Sequence, residues 1–119
     1  MAALQIEVVE APAPVGGKPA VPMLITVKGE AVVELEPLVT TLQNIGAKRP
    51  PLVVLHLKDL SFISSLAMGV MLAFRRSVLA GGGKVKVAAM QPLVLDSFKR
   101  ARLDKVFEIH ETLAGAMSA

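Results

Sequence analysis

The hydrophobic residues of this chain fall into short runs whose spacing alternates between a strand period and a helix period. Strands are predicted at residues 4–9, 23–29, 52–57, 84–89 and 106–109. Helices are predicted at residues 34–46, 65–80 and 92–101, with a further helical turn ending at Ala116. Strands separated by helices pair in parallel, whereas strands joined by a loop can pair antiparallel. We therefore expect an α/β fold, a mixed sheet of four to five strands with three to four helices packed mainly on one face.

Proline and glycine mark the boundaries between these elements. Residues 11–22 are rich in both and predict a long loop, and Pro37 is tolerated only in the first turn of a helix. The glycines at positions 81–83 predict the end of the second helix. A length of 119 residues suits one domain, so residues 1–119 are predicted to form a single domain that contains the loop.

Composition narrows the class of protein and its compartment. Hydrophobic residues make up 53% of the chain, which predicts a globular protein with a substantial core. The longest apolar stretch, residues 63–74, contains two serines and is shorter than the roughly 20 residues of a membrane span, so no transmembrane helix is predicted. The chain lacks the features of a secretory signal and contains no cysteine, which excludes disulfides and thiolate chemistry. We expect a cytoplasmic protein.

The charged residues and histidines predict neither nucleic-acid binding nor a cofactor. The basic residues are densest near the C-terminus, at Lys99, Arg100, Arg102 and Lys105. Because the chain has no Tyr or Trp on which bases could stack, we interpret this cluster as a solvated helix face. The two imidazoles, His56 and His110, have no nearby acidic pair that would complete a metal-ligand set. We expect no direct nucleic-acid binding, no metal and no other cofactor.

A Ser-His-Asp hydrolase requires consideration because Ser65, His56 and Asp59 are close in sequence. The chain has no G-x-S-x-G elbow, and a histidine within a strand of the buried type is usually structural. The sequence therefore predicts that the protein is not an enzyme.

Two adjacent serines, Ser64 and Ser65, stand directly before the apolar run of the second helix. One of them is expected to be the N-cap, which accepts a hydrogen bond from an unpaired backbone amide and stabilises by about 1 kcal/mol. The other lies between a buried strand and a helix, where α/β sheets often place functional groups. A phosphate here would be favoured by the helix dipole. From the residues alone, a plain cap and a phosphorylation site both stay open.

The second helix has apolar residues on two sides when it is turned at about 100° per residue. Its predicted core face consists of Leu66, Val70, Ala73, Phe74 and Ser77. Its predicted solvent face carries Ser65, Met68, Leu72, Leu79, Arg75 and Arg76. Exposed Met and Leu beside Arg are typical of a protein-binding surface. The alternative is that another part of the chain covers the apolar residues of that face.

Four segments, in their order along the chain, resemble the STAS family, and in particular its small free-standing members, the bacterial anti-sigma factor antagonists. "VKGEAVVELEPLVTTL" is similar to the family's G-E-L-D segment and the helix after it. "LVVLHLKDLSFISSLAMGVML" resembles its central strand and its D-S-S-G-L-G-x-L-L motif. "AGGGKVKVAA" and "FKRARLDKVFEI" resemble its helix end, next strand and closing L-x-x-x-F-x-I segment. The likeness covers nearly the whole chain and implies a STAS-like fold.

The resemblance also implies a function and its site. In these antagonists, a kinase that is also the anti-sigma factor phosphorylates the first serine of D-S-S-G. The unphosphorylated form binds the kinase and frees the sigma factor, and a phosphatase resets the switch. The motif places Ser64 at the family's aspartate, Ser65 at the phosphoacceptor and Ala67 at the glycine. Ser65 is therefore the expected phosphoacceptor, with Ser64 as the alternative. The expected partner-binding residues are Ser64, Ser65, Met68, Leu72, Arg75 and Arg76.

The implied partner is an anti-sigma factor that acts as a serine kinase, or another protein. The competing interpretation is a STAS scaffold or accessory subunit, of the stressosome or lipid-transport type. Such a module would bind its partner constitutively, and Ser65 would be only a helix cap. A homodimer is also compatible with the resemblance.

Overall fold

The computed structural model describes residues 4–10, 23–31 and 35–118. The strands are β1 (Gln5–Glu10), β2 (Met23–Ala31), β3 (Leu52–His56), β4 (Leu60–Ile63), β5 (Lys84–Ala88) and β6 (Glu108–His110). The helices are α1 (Glu36–Ala47), α2 (Ser65–Ala80), α3 (Pro92–Arg100) and α4 (Leu113–Ser118), with a 3₁₀ turn at Leu103–Lys105. The predicted loop at residues 11–22 and the predicted first helical residue, Glu34, lie outside the described residues.

The strands form one mixed sheet in the order β1-β2-β3-β5-β6, with β4 pairing to β2 beyond the end of β3. β1 runs antiparallel to β2, and the other pairs are parallel. This arrangement confirms the predicted α/β class and the predicted antiparallel pairing of the first two strands. The described residues form six strands, one more than the upper number expected from the sequence.

The additional strand exists because β2 is longer than its sequence pattern indicates. The prediction that this strand ends at Gly29 is wrong, since β2 continues to Ala31 after a register shift between Gly29 and Glu30. Gly29 has φ of 90°, a backbone conformation that favours glycine, and its amide donates to the Asp59 carbonyl at 3.0 Å. Beyond this bulge β2 pairs with β4, whose residues lie between the predicted strand at 52–57 and the predicted helix at 65–80 and were not predicted to form a strand.

The two faces of the sheet are covered unequally. The main core lies between the sheet and α1, α2 and α3, and its fully buried side chains include Ile25, Leu38, Leu55, Met71, Val78 and Phe98. A smaller cluster on the other face consists of Val54, Ala88 and Ala116, the last contributed by α4. Three of the four helices therefore pack on one face, which confirms the predicted layering.

A buried lysine attaches α4 to the sheet. The Lys86 side chain on β5 is 5% exposed, and its Nζ donates to the Ala116 carbonyl at 3.2 Å. The same Nζ lies 3.3 Å from Oε2 of Glu108, and Nε2 of His110 lies 2.7 Å from that oxygen. The hydrogen bond from His110, assisted by the one from Lys86, lowers the pKa of Glu108 below its ordinary value.

This network predicts an acid-dependent contribution to stability. A carboxyl whose folded pKa is depressed stabilises the fold above its unfolded pKa, and the contribution is lost as the pH falls through the folded pKa. We expect Glu108→Gln to have a lower melting temperature than the wild type at neutral pH, with the difference shrinking below pH 4.5. Thermal unfolding followed by circular dichroism, at neutral pH and at a pH below 4.5, measures this difference in melting temperature. Glu111→Gln, at an exposed carboxylate, is the control; a Glu108→Gln difference that does not change with pH would contradict the prediction.

The glycines after α2 end that helix, as predicted. Gly81 is its C-cap, Gly82 has φ of 88°, and the amide of Gly83 donates to the Val78 carbonyl at 2.9 Å. A Cβ at Gly83 would lie 2.1 Å from the Pro50 carbonyl oxygen and 2.8 Å from Cγ1 of Val78. The return from α2 to β5 therefore requires glycine at this position because the chain passes against backbone.

We expect Gly83→Ala to destabilise the protein by about 2–3 kcal/mol, since the backbone must move to admit the methyl group. Gly69→Ala is the matched control, because a Cβ there meets nothing within 4 Å and alanine favours a helix interior. That variant should be as stable as the wild type or more stable by about 0.5–1 kcal/mol. Urea unfolding of the two variants gives the comparison; equal stabilities would show that the close approach of Pro50 is easily relieved.

Candidate partner-binding site

Ser64 joins the end of β2 to the start of α2. Its amide donates to the Ala31 carbonyl at 2.8 Å, and its carbonyl accepts from the Met68 amide at 3.0 Å. Its Oγ accepts from the Ala67 amide at 3.1 Å, in the extended conformation of an N-cap. Of the two serines it is therefore Ser64 that caps the helix, and the alternative in which Ser65 is the cap is wrong.

Ser65 is the first residue of α2 and is exposed. The backbone on its N-terminal side is fixed by the cap residue and by the pairing of β4 with β2. Its side chain is therefore presented to solvent from a defined position, at the start of the helix. Ser64, by contrast, is only partly exposed, and its hydroxyl is engaged in the cap.

A cleft with a volume of about 490 Å³ lies beside Ser65, between the first turn of α2 and the last turn of α3. We call it the α2–α3 cleft. It is lined by Phe62, Ile63, Ser64, Ser65, Met68, Ser97, Arg100 and Ala101. Arg100 projects into solvent with a side chain that is 82% exposed, and its Nε lies 3.0 Å from Oδ2 of Asp96 one turn earlier. The cleft thus combines an apolar floor, hydroxyl groups and a cation.

The predicted orientation of α2 is partly wrong. Its buried residues are Ala67, Met68, Met71, Phe74 and Val78. Leu66, predicted to be in the core, is 65% exposed, and Ala73 and Ser77 of the same predicted face are also exposed. Met68, predicted to be a surface contact, is 8% exposed. Apolar residues occur on both sides of this helix, so its spacing alone does not fix the side that packs on the sheet. The alternative in which another part of the chain covers Met68 is the one found.

The other residues predicted for the partner surface differ in exposure. Leu72 is partly buried and packs against the core. The guanidinium carbon of Arg75 lies 6.0 Å from the centre of the Phe107 ring, so this partly buried arginine also packs within the protein. Arg76 is exposed. Ser65 and Arg76 are therefore fully available to a partner, whereas Leu72 and Arg75 are available in part.

Sequence reasoning missed two exposed apolar side chains next to Ser65. Phe62 on β4 is 44% exposed, and Leu66 on α2 is 65% exposed. A shallow groove of about 200 Å³ between α1 and α2 continues this surface, with Val39, Leu42, Val70, Ala73 and Phe74 among its lining residues. Leu66 stands at the position of the second serine of the D-S-S-G motif. The apolar residue at this position was the signal in the sequence that could have indicated an apolar surface beside Ser65.

The residues considered for a hydrolase do not converge. Side chains alternate along β3, so His56 lies on the same side as Val54, which belongs to the cluster under α4. Ser65 begins α2, which packs on the opposite face. Burial lowers the pKa of His56, which favours the neutral form of this imidazole. The described residues contain no group of three His, Cys, Asp or Glu side chains placed to hold a metal.

The STAS domain family model matches residues 19–116. The chain belongs to the STAS family. This finding confirms the family suggested by the four segments and by the mixed sheet. In the part of the chain that the structure describes, no helix has the length and hydropathy needed to cross a bilayer.

Several solved structures share this fold. An anti-sigma factor antagonist from Mycobacterium paratuberculosis is 22% identical with a TM-score of 0.78, over 96% of this chain and 92% of that one. The anti-sigma factor antagonist SpoIIAA in its unphosphorylated form is 21% identical, with a TM-score of 0.68, over 97% and 93%. The Bacillus cell fate determinant SpoIIAA in its phosphorylated form is 19% identical, with a TM-score of 0.67, over 98% and 97%. No curated protein matches the chain.

The different positions of the two serines predict different effects on stability. Ser64→Ala removes the cap and should destabilise the protein by about 1 kcal/mol. Ser65→Ala removes an exposed hydroxyl and should change stability by less than about 0.5 kcal/mol. Chemical unfolding of both variants under identical conditions gives the comparison. A larger loss for Ser65→Ala than for Ser64→Ala would contradict the assignment of the cap.

Proposed function

We propose that this STAS protein is a regulatory protein-interaction module of the anti-sigma factor antagonist kind, switched by phosphorylation of Ser65. The observation that carries the proposal is that the two serines have different positions and contacts. Ser64 is engaged in capping α2, whereas the neighbouring Ser65 is exposed at the same helix start. The kinship with the family and the fold shared with anti-sigma factor antagonists support the same role.

The chemistry of the switch is phosphoryl transfer to a hydroxyl. Oγ of Ser65 attacks the γ-phosphorus of a nucleoside triphosphate held by the kinase, and a new O–P bond forms. The bond between that phosphorus and the bridging oxygen breaks, so a nucleoside diphosphate leaves. The serine proton passes to a base on the kinase. This protein supplies only the nucleophile and its exposed position, which agrees with a module that has no catalytic activity of its own.

The surroundings of Ser65 explain how a phosphate could control binding. Phe62 and Leu66 flank it with exposed apolar area, which a protein partner would bury. A phosphate adds a charge of about −1.5 to −2 at neutral pH, and burial of that charge against an apolar partner surface is unfavourable. The unphosphorylated form would therefore bind, and the phosphorylated form would not.

The proposed partner is an anti-sigma factor that also acts as the serine kinase. In this proposal the contact surface consists of Phe62, Ser65, Leu66 and Arg76, with Leu72 and Arg75 at its edge. Met68 supports the surface from below, because its side chain is buried. The proposal places the protein in the cytoplasm, where nucleoside triphosphate and the transcription machinery are present.

A constitutive STAS scaffold is the second candidate function. The observation in its favour is that Ser64 and Ala67 stand where the family has aspartate and glycine. A scaffold would use the same apolar surface around Leu66 without modification of Ser65. The two functions therefore differ in whether the hydroxyl of Ser65 ever carries phosphate.

The first test is mass spectrometry of the protein isolated from its native cells during growth and during stress. Trypsin releases residues 59–75 as one peptide that contains Ser61, Ser64 and Ser65, and fragmentation between these serines locates a phosphate. We expect phosphate on Ser65 in one of the two conditions and none in Ser65→Ala. Ser64→Ala is the matched control and should still be modified.

The other outcomes are equally informative. Phosphate on Ser64 would preserve the idea of a switch but would refute the assignment of the acceptor. Complete absence of phosphate under both conditions would reject the switch in favour of the constitutive scaffold.

A further inference from the structure

Ser65 shares the α2–α3 cleft with a single charged side chain. Of the described residues that line this cleft, Arg100 is the charged one, and the others are apolar or carry hydroxyl groups. Arg100 stands in the last turn of α3, and its exposed guanidinium can change its orientation without disturbing the core. Ser97, one turn earlier on the same helix, also faces the cleft and donates its hydroxyl to the Leu93 carbonyl at 3.2 Å.

The present partner of Arg100 is easily exchanged. Its ion pair with Asp96 joins residues one helical turn apart, and both side chains are at least half exposed. Such pairs contribute little to stability because water and salt screen them. A serine phosphate carries more negative charge than a carboxylate and offers three acceptor oxygens, which the planar guanidinium can bind in pairs. A phosphate in the same cleft is therefore the stronger partner for Arg100.

The residue before the acceptor adds to this effect. The family has an aspartate at this position, whereas this chain has Ser64. A carboxylate there would repel a phosphate on the next residue and would compete for the arginine. Ser64 instead uses its hydroxyl to accept from the Ala67 amide and leaves the cleft without that negative charge.

We propose that Arg100 is the intramolecular receptor for a phosphate on Ser65. Phosphorylation exchanges the Arg100–Asp96 pair for an Arg100–phosphoserine pair, which joins the start of α2 to the end of α3 and fills the mouth of the cleft. The proposal rests on the proposed function only in taking Ser65 as the modified residue. It adds that the modified state has its own internal contact, in addition to repelling the partner.

The test measures the second pKa of the phosphate in a protein that carries phosphoserine at Ser65. Phosphoserine is introduced during synthesis, so the result does not depend on whether a kinase modifies the protein in cells. A guanidinium paired with the phosphate favours the dianion and lowers this pKa. We expect a phosphorus NMR titration to give a value about 0.5 unit lower in the wild type than in Arg100→Gln.

Arg76→Gln is the matched control, because it removes the same charge from an exposed arginine about 16 Å further along α2. The second pKa of the phosphate in this variant should lie close to that in the wild type. Asp96→Asn removes the competing carboxylate and should lower the pKa further. Equal shifts in Arg100→Gln and Arg76→Gln, or no shift in either, would overturn the proposal.

The two proposals can fail separately. A pKa shift that depends on Arg100, in a protein whose Ser65 is never phosphorylated in cells, would reject the proposed switch and retain the receptor. Phosphate found on Ser65 in cells, together with a phosphate pKa that is insensitive to Arg100, would retain the proposed switch and reject the receptor. Because Arg100 is exposed, its substitution leaves the core intact, and circular dichroism confirms the folded state of each variant before titration.

Discussion

The candidate site depends on one hydrogen bond, in which the amide of Ser64 donates to the carbonyl of Ala31. This bond ties the start of α2 to the end of β2, at the point where β2 has changed its pairing from β3 to β4. Because the same serine caps the helix with its side chain, the backbone before and after it is fixed. The direction in which Ser65 presents its hydroxyl therefore follows from the sheet.

The central elements of the fold could be predicted because their signals are local. Residues 52–57 form a continuous apolar run, and the glycines at 81–83 stop a helix whatever surrounds them. β4 could not be predicted in this way, since four residues that include a polar serine do not specify a strand by themselves. Its structure depends on β2, because Leu60 pairs with Gly29, which is 31 residues earlier in the chain. The bulge at Gly29 lets β2 pair with β3 in its first part and with β4 in its last part.

The sequence predicted the place of Ser65 at the start of α2 but not the side chains that surround it. Ser65 could be identified because a serine before an apolar helix is a local feature and because the family motif aligns with it. The sequence did not determine the orientation of α2, since both sides of this helix carry apolar residues. Met68 was therefore predicted on the surface and Leu66 in the core, and the structure has the reverse. Arg100 was interpreted as part of a solvated face. That interpretation is correct for its exposure, but only the packing of α3 beside β4 brings it to the cleft.

The sign of the charge at the cleft has a consequence for the way a phosphate would act. In a site with a neighbouring carboxylate, phosphorylation adds repulsion to a position that is already negative, and the partner is displaced by charge alone. In this chain the cleft has an arginine and a hydroxyl at Ser64, so a phosphate on Ser65 would be partly neutralised. The change that a partner detects would then include the withdrawal of Arg100 from solvent and the loss of the cation that is paired with the half-exposed Asp96 carboxylate. Loss of an available cation and gain of an anion both act on an acidic partner surface in the same direction as the phosphate, so the switch would not require a strong local field at Ser65 itself.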